Sequence, residues 1–161
     1  MKFAESKESG PHSRLRALAG NWSGMTKTWF EPGVVADESP MSGTIRPILD
    51  GRFILHEYSG SLDGKPFEGI AIYGFDLLTQ KFQAAWIDSF HMSTGILFSE
   101  GEPGDRFKAL GSYFAGEGNP RWGWRTEIEQ TDNDNIVITA FNISPAGEEA
   151  IATETRYSRK V

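Results

Sequence analysis

Two carboxylates that stand among aromatic residues are the side chains of this sequence best suited to chemistry. The segment Trp86-Ile87-Asp88-Ser89 places an indole and a carboxylate two residues apart, so both share one face of an extended strand. Glu57 is the second, on the strand face that also carries Phe53 and Leu55. A carboxylate facing a closed cavity loses water, which raises its pKa and suits it to acid–base chemistry or ligand binding.

A structural role is the alternative for both carboxylates. Asp88 stands beside Ser89 at a strand end, where it could cap or turn the chain, and Glu57 would then face water. The sequence shows no third group that would support Asp88 and Glu57 as a catalytic pair. We therefore predict both as ligand-binding residues and assign no catalytic residue.

Aromatic residues make up the rest of the predicted site. The segment 121–127 alternates indoles with charged side chains, so that Trp122, Trp124 and Thr126 share one strand face. Interleaved Trp and Arg also occur in single-stranded nucleic-acid sites, but a net charge of −6 argues against that partner. The predicted ligand-binding residues are Glu57, Tyr73, Trp86, Asp88, Tyr113 and Trp124.

The sequence predicts no metal and no cofactor. His12, His56 and His91 are separated by long intervals and show no ligand spacing, and no histidine lies on the last predicted strands to hold a haem. There is no cysteine, which excludes thiol nucleophiles and disulfides. Walker loops, dinucleotide fingerprints and nucleophile elbows are also missing.

The elements that must position these residues are short strands at even spacing. Asp50-Gly51 and Asp63-Gly64 are typical of tight hairpin turns. The pattern predicts an all-β, antiparallel up-and-down barrel of about ten strands with a short N-terminal helix. The predicted strands are 22–30, 42–49, 52–61, 66–76, 81–89, 94–100, 106–114, 122–130, 135–143 and 149–157.

Small residues next to aromatic ones indicate room inside this barrel. On one strand Phe67, Gly69, Ala71, Tyr73 and Phe75 share a face. A barrel of ten strands is wide enough that its own side chains need not fill it. We expect a cavity that takes a small molecule.

The N-terminal segment is expected to close one end of the barrel. Residues 1–10 are predicted as a disordered or loosely attached lead, and residues 11–161 as one domain whose helix spans 11–19. Gly20-Asn21-Trp22 then leads into the first strand, and the Trp22 ring is predicted to seal the floor. Arg156 on the last strand is predicted to stack on Trp22, which leaves the opposite end for ligand entry.

Several of these features occur together in known families. A Gly-x-Trp at the first strand with an Arg on the last resembles the calycin superfamily of lipocalins and fatty-acid-binding proteins. More closely, the chain resembles an uncharacterised bacterial family, number 1579 among the domains of unknown function, over residues 15–159. The resemblance implies a calycin-like barrel and no particular reaction. The matching stretches are 18–24, 29–33, 53–60, 66–69, 73–76, 86–89 and 155–157.

The expected partner is a small molecule. The acidic charge argues against nucleic acid, and no apolar run approaches the ~20 residues of a membrane span, so we expect a cytoplasmic protein. Binding of a small hydrophobic or amphipathic molecule in the barrel is the leading hypothesis. The alternatives are an oligomerising module with a filled barrel, so that self-association stays open, and an enzyme that uses the cavity carboxylates.

Overall fold

Ten antiparallel strands close into a barrel in the computed structural model, which describes residues 1–161. Each strand pairs with the next along the chain, and the last closes on the first, which confirms the predicted fold. The strands are β1 (Gly20–Glu31), β2 (Val34–Ile48), β3 (Phe53–Leu62), β4 (Lys65–Asp76), β5 (Lys81–Asp88), β6 (Leu97–Glu100), β7 (Phe107–Tyr113), β8 (Trp122–Asp132), β9 (Asn135–Ile143) and β10 (Glu149–Arg159).

The hairpins set the strand bounds. Asp63 and Gly64 have φ of 51° and 75°, the left-handed pair that a two-residue type I′ turn requires. Strand β2 begins at Val34, well before the predicted residue 42, because a tight turn at residues 32–33 starts the β1–β2 ladder and Pro40 is accommodated opposite Met25. No helix of the chain combines the length and the apolar character that crossing a bilayer would need.

Two short helices lie at one end of the barrel, α1 (Phe3–Ser9) and α2 (Pro11–Arg16). Helix α1 falls where the sequence analysis expects a loose lead. Its Ser6 is fully buried, and the hydroxyl lies 2.8 Å from Nδ1 of His12 and accepts the His12 backbone N–H at 3.2 Å. Phe3 packs edge-on against the same imidazole at 5.0 Å. These contacts join α1 to α2, so the periodicity of either short helix alone does not predict them.

Trp22 seals this end, as the sequence predicts. Its side chain has no solvent exposure, and its indole N–H donates to the Leu18 carbonyl at 2.9 Å. The ring also stacks on Tyr157 of β10, with centroids 6.2 Å apart. We call this the closed end. The opposite, open end carries the connections at residues 32–33, 63–64, 89–96, 114–121 and 144–148.

The arginine over Trp22 is Arg159, and the prediction of Arg156 is wrong. The Arg159 guanidinium lies 4.4 Å from the ring centroid and also donates to the carbonyls of the α2–β1 segment. Arg156 is exposed on the outer face and bonds Glu154 at 2.9 Å. The cause is strand register, because β1 and β10 pair Trp22 directly with Arg159.

Candidate functional site

A cavity lies inside the barrel between the apolar closed end and the open end. Its volume, measured as the space that the centre of a water molecule can occupy, is about 90 Å³. On the same measure one water molecule needs roughly 15 Å³. Space remains because the small side chains Ala71, Ala84, Ser99 and Ala140 stand on four different strands of its wall. None of the lining side chains is Lys, Arg, Asp or Glu.

The deep part of the cavity carries a polar group of three side chains, which we call the His56 cluster. His56 of β3 is buried, with Nδ1 3.1 Å from the Tyr73 hydroxyl of β4 and Nε2 3.0 Å from the Tyr157 hydroxyl of β10. Burial lowers the pKa of His56 to about 3, so the imidazole is neutral at physiological pH. Burial also raises the pKa of Tyr73 and Tyr157, so both phenols stay protonated.

One tyrosine O–H of the His56 cluster has no acceptor within the cluster. A neutral imidazole has one N–H and one lone pair, so one tyrosine donates to it and the other accepts from it. The accepting tyrosine keeps its own O–H, and no other protein atom bonds either hydroxyl. Both tyrosines line the cavity. The cluster therefore offers one hydroxyl proton to an acceptor inside the barrel.

Two glycines make room for this arrangement. A Cβ at Gly43 of β2 would lie 2.4 Å from the Tyr157 hydroxyl and 3.0 Å from Nε2 of His56. A Cβ at Gly69 of β4 would lie 2.3 Å from the ring of Tyr58, which covers that backbone. Glycine in the middle of a strand often marks such a close approach. Gly43 is the sequence signal that could have located the His56 cluster, and Gly69 is the corresponding signal for the Tyr58 ring.

Stacked indoles line the cavity nearer the open end. Trp86 of β5 and Trp124 of β8 lie with their ring centroids 5.4 Å apart and their planes 15° apart. The Trp86 N–H donates to the Tyr58 hydroxyl at 2.6 Å, which fixes the ring. His91, in the β5–β6 connection, packs beside both indoles at 5.4 and 5.9 Å. Trp86, Trp124 and His91 form what we call the mouth cluster.

Asp88 bonds the His91 ring of the mouth cluster on the side away from the cavity. Its side chain is fully buried, with one oxygen 2.5 Å from Nδ1 of His91. The other oxygen accepts the backbone N–H groups of His91 and Met92 at 2.7 and 2.8 Å. Burial opposes ionisation of Asp88, but the hydrogen bonds from His91 and Met92 outweigh it and hold its pKa below the ordinary value. Asp88 is thus a buried carboxylate bonded to the His91 ring.

The structure brings only some of the predicted residues together. Tyr73, Trp86 and Trp124 line the cavity, and Asp88 lies directly behind its wall. Tyr113 is outside the lining, where it packs edge-on against Trp124 at 6.4 Å and donates to the Asn142 side chain.

Glu57 lies on the outer face, half exposed, with its carboxylate 3.7 Å from Arg46. Its expected inward orientation is therefore corrected, because adjacent residues of a strand point to opposite faces and His56 takes the inward position. His56, Tyr157 and His91 also belong to the site, although the sequence did not predict them as site residues. The roles of His56 and Tyr157 depend on partners from distant strands, and that of His91 on Asp88 together with the distant Trp124.

The fold has recognisable relatives among solved structures. The chain aligns over 100% of its length with 99% of the S-type phycobiliprotein lyase CPES from Guillardia theta, at 10% identity and a TM-score of 0.54. It aligns over 91% of its length with 96% of a de novo designed fluorescence-activating β-barrel, at 12% identity and a TM-score of 0.49. At 10% identity the likeness to the lyase is one of fold.

In sequence, the chain matches a family model but no curated protein. A family model described as "Protein of unknown function (DUF1579)" matches residues 7–159, nearly the whole chain and every strand of the barrel. The chain therefore belongs to this family, the one that its sequence motifs resemble.

Proposed function

We propose that the barrel binds a small, uncharged, planar molecule that has a hydrogen-bond acceptor at one end. The observation that carries this proposal is the spare hydroxyl proton of the His56 cluster, which lies in an uncharged cavity whose walls are apolar and aromatic side chains with several Thr and Ser hydroxyls. Sites for small molecules commonly combine an apolar lining with a few polar groups that fix the orientation of the ligand.

The absence of charge around the deep cavity favours a ligand that enters as a neutral molecule and stays neutral at the end that meets the His56 cluster. A buried charge without a partner costs far more free energy than a buried hydrogen-bonding group. The deep cavity offers hydroxyls and a neutral imidazole, and no cation to pair with a ligand anion. A carbonyl, nitro or ether oxygen would fit the spare O–H without that cost.

The stacked indoles favour a planar ligand. Trp86 and Trp124 present aromatic surface to the cavity, and Phe67 and the His91 ring extend it toward the open end. Aromatic rings gain about 0.5–1.5 kcal/mol from offset or edge-on contacts beyond the area they bury. The proposal depends on these residues and not on the fold, because barrels of one architecture serve unrelated functions.

A cavity-filling substitution tests the proposal. Binding of 4-nitroanisole, a neutral planar probe with oxygen acceptors, is measured by quenching of tryptophan fluorescence and by equilibrium dialysis. Ala84 lines the cavity and Ala85, its neighbour on β5, points to the outer face. We expect Ala84→Leu to weaken binding at least tenfold, because the added carbons occupy the ligand volume, and Ala85→Leu to leave it unchanged.

Two results would contradict the proposal. One is an absence of binding by the native protein up to the solubility limit of the probe. The other is equal weakening by Ala84→Leu and Ala85→Leu, which would place the probe outside the cavity. Circular dichroism of each variant shows that the barrel is intact before binding is compared.

A further inference from the structure

We propose that the Asp88–His91 pair accepts a proton from an acidic hydroxyl of the bound molecule, so that the site takes a phenol or an enol. This inference rests on the proposed binding function and adds the chemical class of the ligand. It concerns the mouth cluster, whereas the proposed function is carried by the His56 cluster. The two can therefore fail separately.

The geometry fixes which nitrogen of the neutral His91 ring carries the proton. The Asp88 carboxylate lies 2.5 Å from Nδ1 and has no exposure of its own, so Nδ1 carries the proton and donates it to the carboxylate. In a neutral imidazole the other nitrogen, Nε2, is then an acceptor. No protein atom bonds Nε2, and the ring forms part of the cavity wall. His91 is thus positioned to accept a proton from a ligand.

The groups around His91 leave the proton transfer to this pair. Aromatic rings pack against the imidazole, from Phe67 of β4 and Phe90 of the same connection as well as from the two indoles. The titratable groups nearby are Asp88 behind the ring and Tyr58 of β3, whose hydroxyl already accepts the Trp86 N–H. No lysine or arginine side chain bonds this group or lines the cavity.

The proposed step is a simple proton transfer. The O–H bond of the ligand breaks, an N–H bond forms at Nε2, and the electron pair remains on the ligand oxygen. The resulting imidazolium lies between that oxygen anion and the Asp88 carboxylate, which stabilises it through the Nδ1 hydrogen bond. At the other end of the ligand, an acceptor receives the spare O–H of the His56 cluster.

A matched pair of probes tests this inference. The dye 4-nitrophenol carries an acidic hydroxyl opposite a nitro acceptor, and 4-nitroanisole is the same molecule with the hydroxyl proton replaced by methyl. The absorbance of the phenolate reports ionisation directly. At a pH below that at which the free dye ionises, we expect 4-nitrophenol bound at saturating protein to be mainly phenolate. If it is bound as the neutral phenol, the inference is overturned.

Variants assign the proton acceptor. Asp88 acts through His91 and is a positioning residue, so Asp88→Asn is expected to lower the phenolate fraction of bound dye at least tenfold, as is His91→Gln. The fraction at saturation is independent of affinity, so weaker binding does not blur the readout. Glu57→Gln, on the outer face, is the matched carboxylate control and should leave the fraction unchanged.

The outcomes separate the two proposals. If the native protein does not bind 4-nitroanisole, the proposed function itself fails. If it binds both but 4-nitrophenol stays neutral, only the inference about Asp88 and His91 fails. If bound phenolate persists in Asp88→Asn, or in His91→Gln where that variant binds the dye, another group accepts the proton and the inference is also overturned.

Discussion

Acid should destabilise this protein through His56. The unfolded chain protonates this histidine near its ordinary pKa of 6.5, whereas burial lowers the pKa in the folded barrel to about 3. Between these two values the unfolded state binds a proton that the folded state excludes, so falling pH favours unfolding. Above pH 6.5 both states are neutral at His56, and the group then adds no pH dependence.

The structure sets the size of this effect. Each pH unit between the two pKa values is equivalent to about 1.4 kcal/mol, so lowering the pKa from 6.5 to about 3 amounts to roughly 5 kcal/mol in total. That is comparable with the whole stability of a small domain, about 5–15 kcal/mol. A protonated His56 would meet only the neutral hydroxyls of Tyr73 and Tyr157, and no carboxylate lines the cavity to pair with its charge.

Urea unfolding at a series of pH values measures the loss of stability that His56 causes in acid. The free energy of unfolding of the native protein should fall between pH 6.5 and 4 more steeply than that of His56→Gln, by up to about 1.4 kcal/mol per pH unit. The glutamine has a donor and an acceptor for the two tyrosines but does not titrate. His12, whose pKa burial also lowers, is present in both proteins and cancels from the difference. Equal slopes would refute a neutral buried His56.

Two stability predictions follow from the closed end and from the His56 cluster. Arg159→Ala should lower the free energy of unfolding by about 1–3 kcal/mol, because it removes the cation over Trp22 and the hydrogen bonds to the α2–β1 carbonyls. Arg156→Ala is the control: this arginine is exposed, so its loss should change the free energy of unfolding by less than about 0.5 kcal/mol. Urea unfolding compares them, and equal losses would contradict the assignment. Gly43→Ala should destabilise because its Cβ would lie 2.4 Å from the Tyr157 hydroxyl. In a double-mutant cycle that penalty should shrink in the Tyr157→Phe background, and an unchanged penalty would place the clash elsewhere.

Much of the fold could be predicted from local signals. The hairpin dipeptide at Asp63-Gly64 and the alternating faces of residues 67–75 each depend on neighbours in sequence, and the structure has them as predicted. Trp22 as the seal of one end could also be predicted, since a large ring placed at the start of the first strand, directly after the helical segment, lies across the end of the barrel. The Arg156 prediction is wrong because choosing between two arginines three residues apart requires the β1–β10 register.

The site residues were harder to predict from the sequence than the fold. Tyr73, Trp86 and Trp124 could be found because aromatic and small residues alternate on their strands, a signal with period two. The inward position of His56 and the outward position of Glu57 could not, because an isolated strand does not say which of its faces is inside. The structure decides it energetically: two tyrosine hydroxyls from other strands satisfy a buried neutral imidazole, whereas a buried carboxylate there would have no cation to balance its charge.

The sequence by itself determined the barrel, its strand number and the end that Trp22 closes, because turns, alternation and helix ends are local properties of the chain. Only the tertiary structure decided the chemistry inside. His56 meets Tyr73 and Tyr157 across 17 and 101 residues of sequence, and the Trp86 and Trp124 rings come into contact from β5 and β8. Closing the barrel removes water from these groups, and that desolvation keeps His56 neutral and leaves one hydroxyl proton without a protein partner.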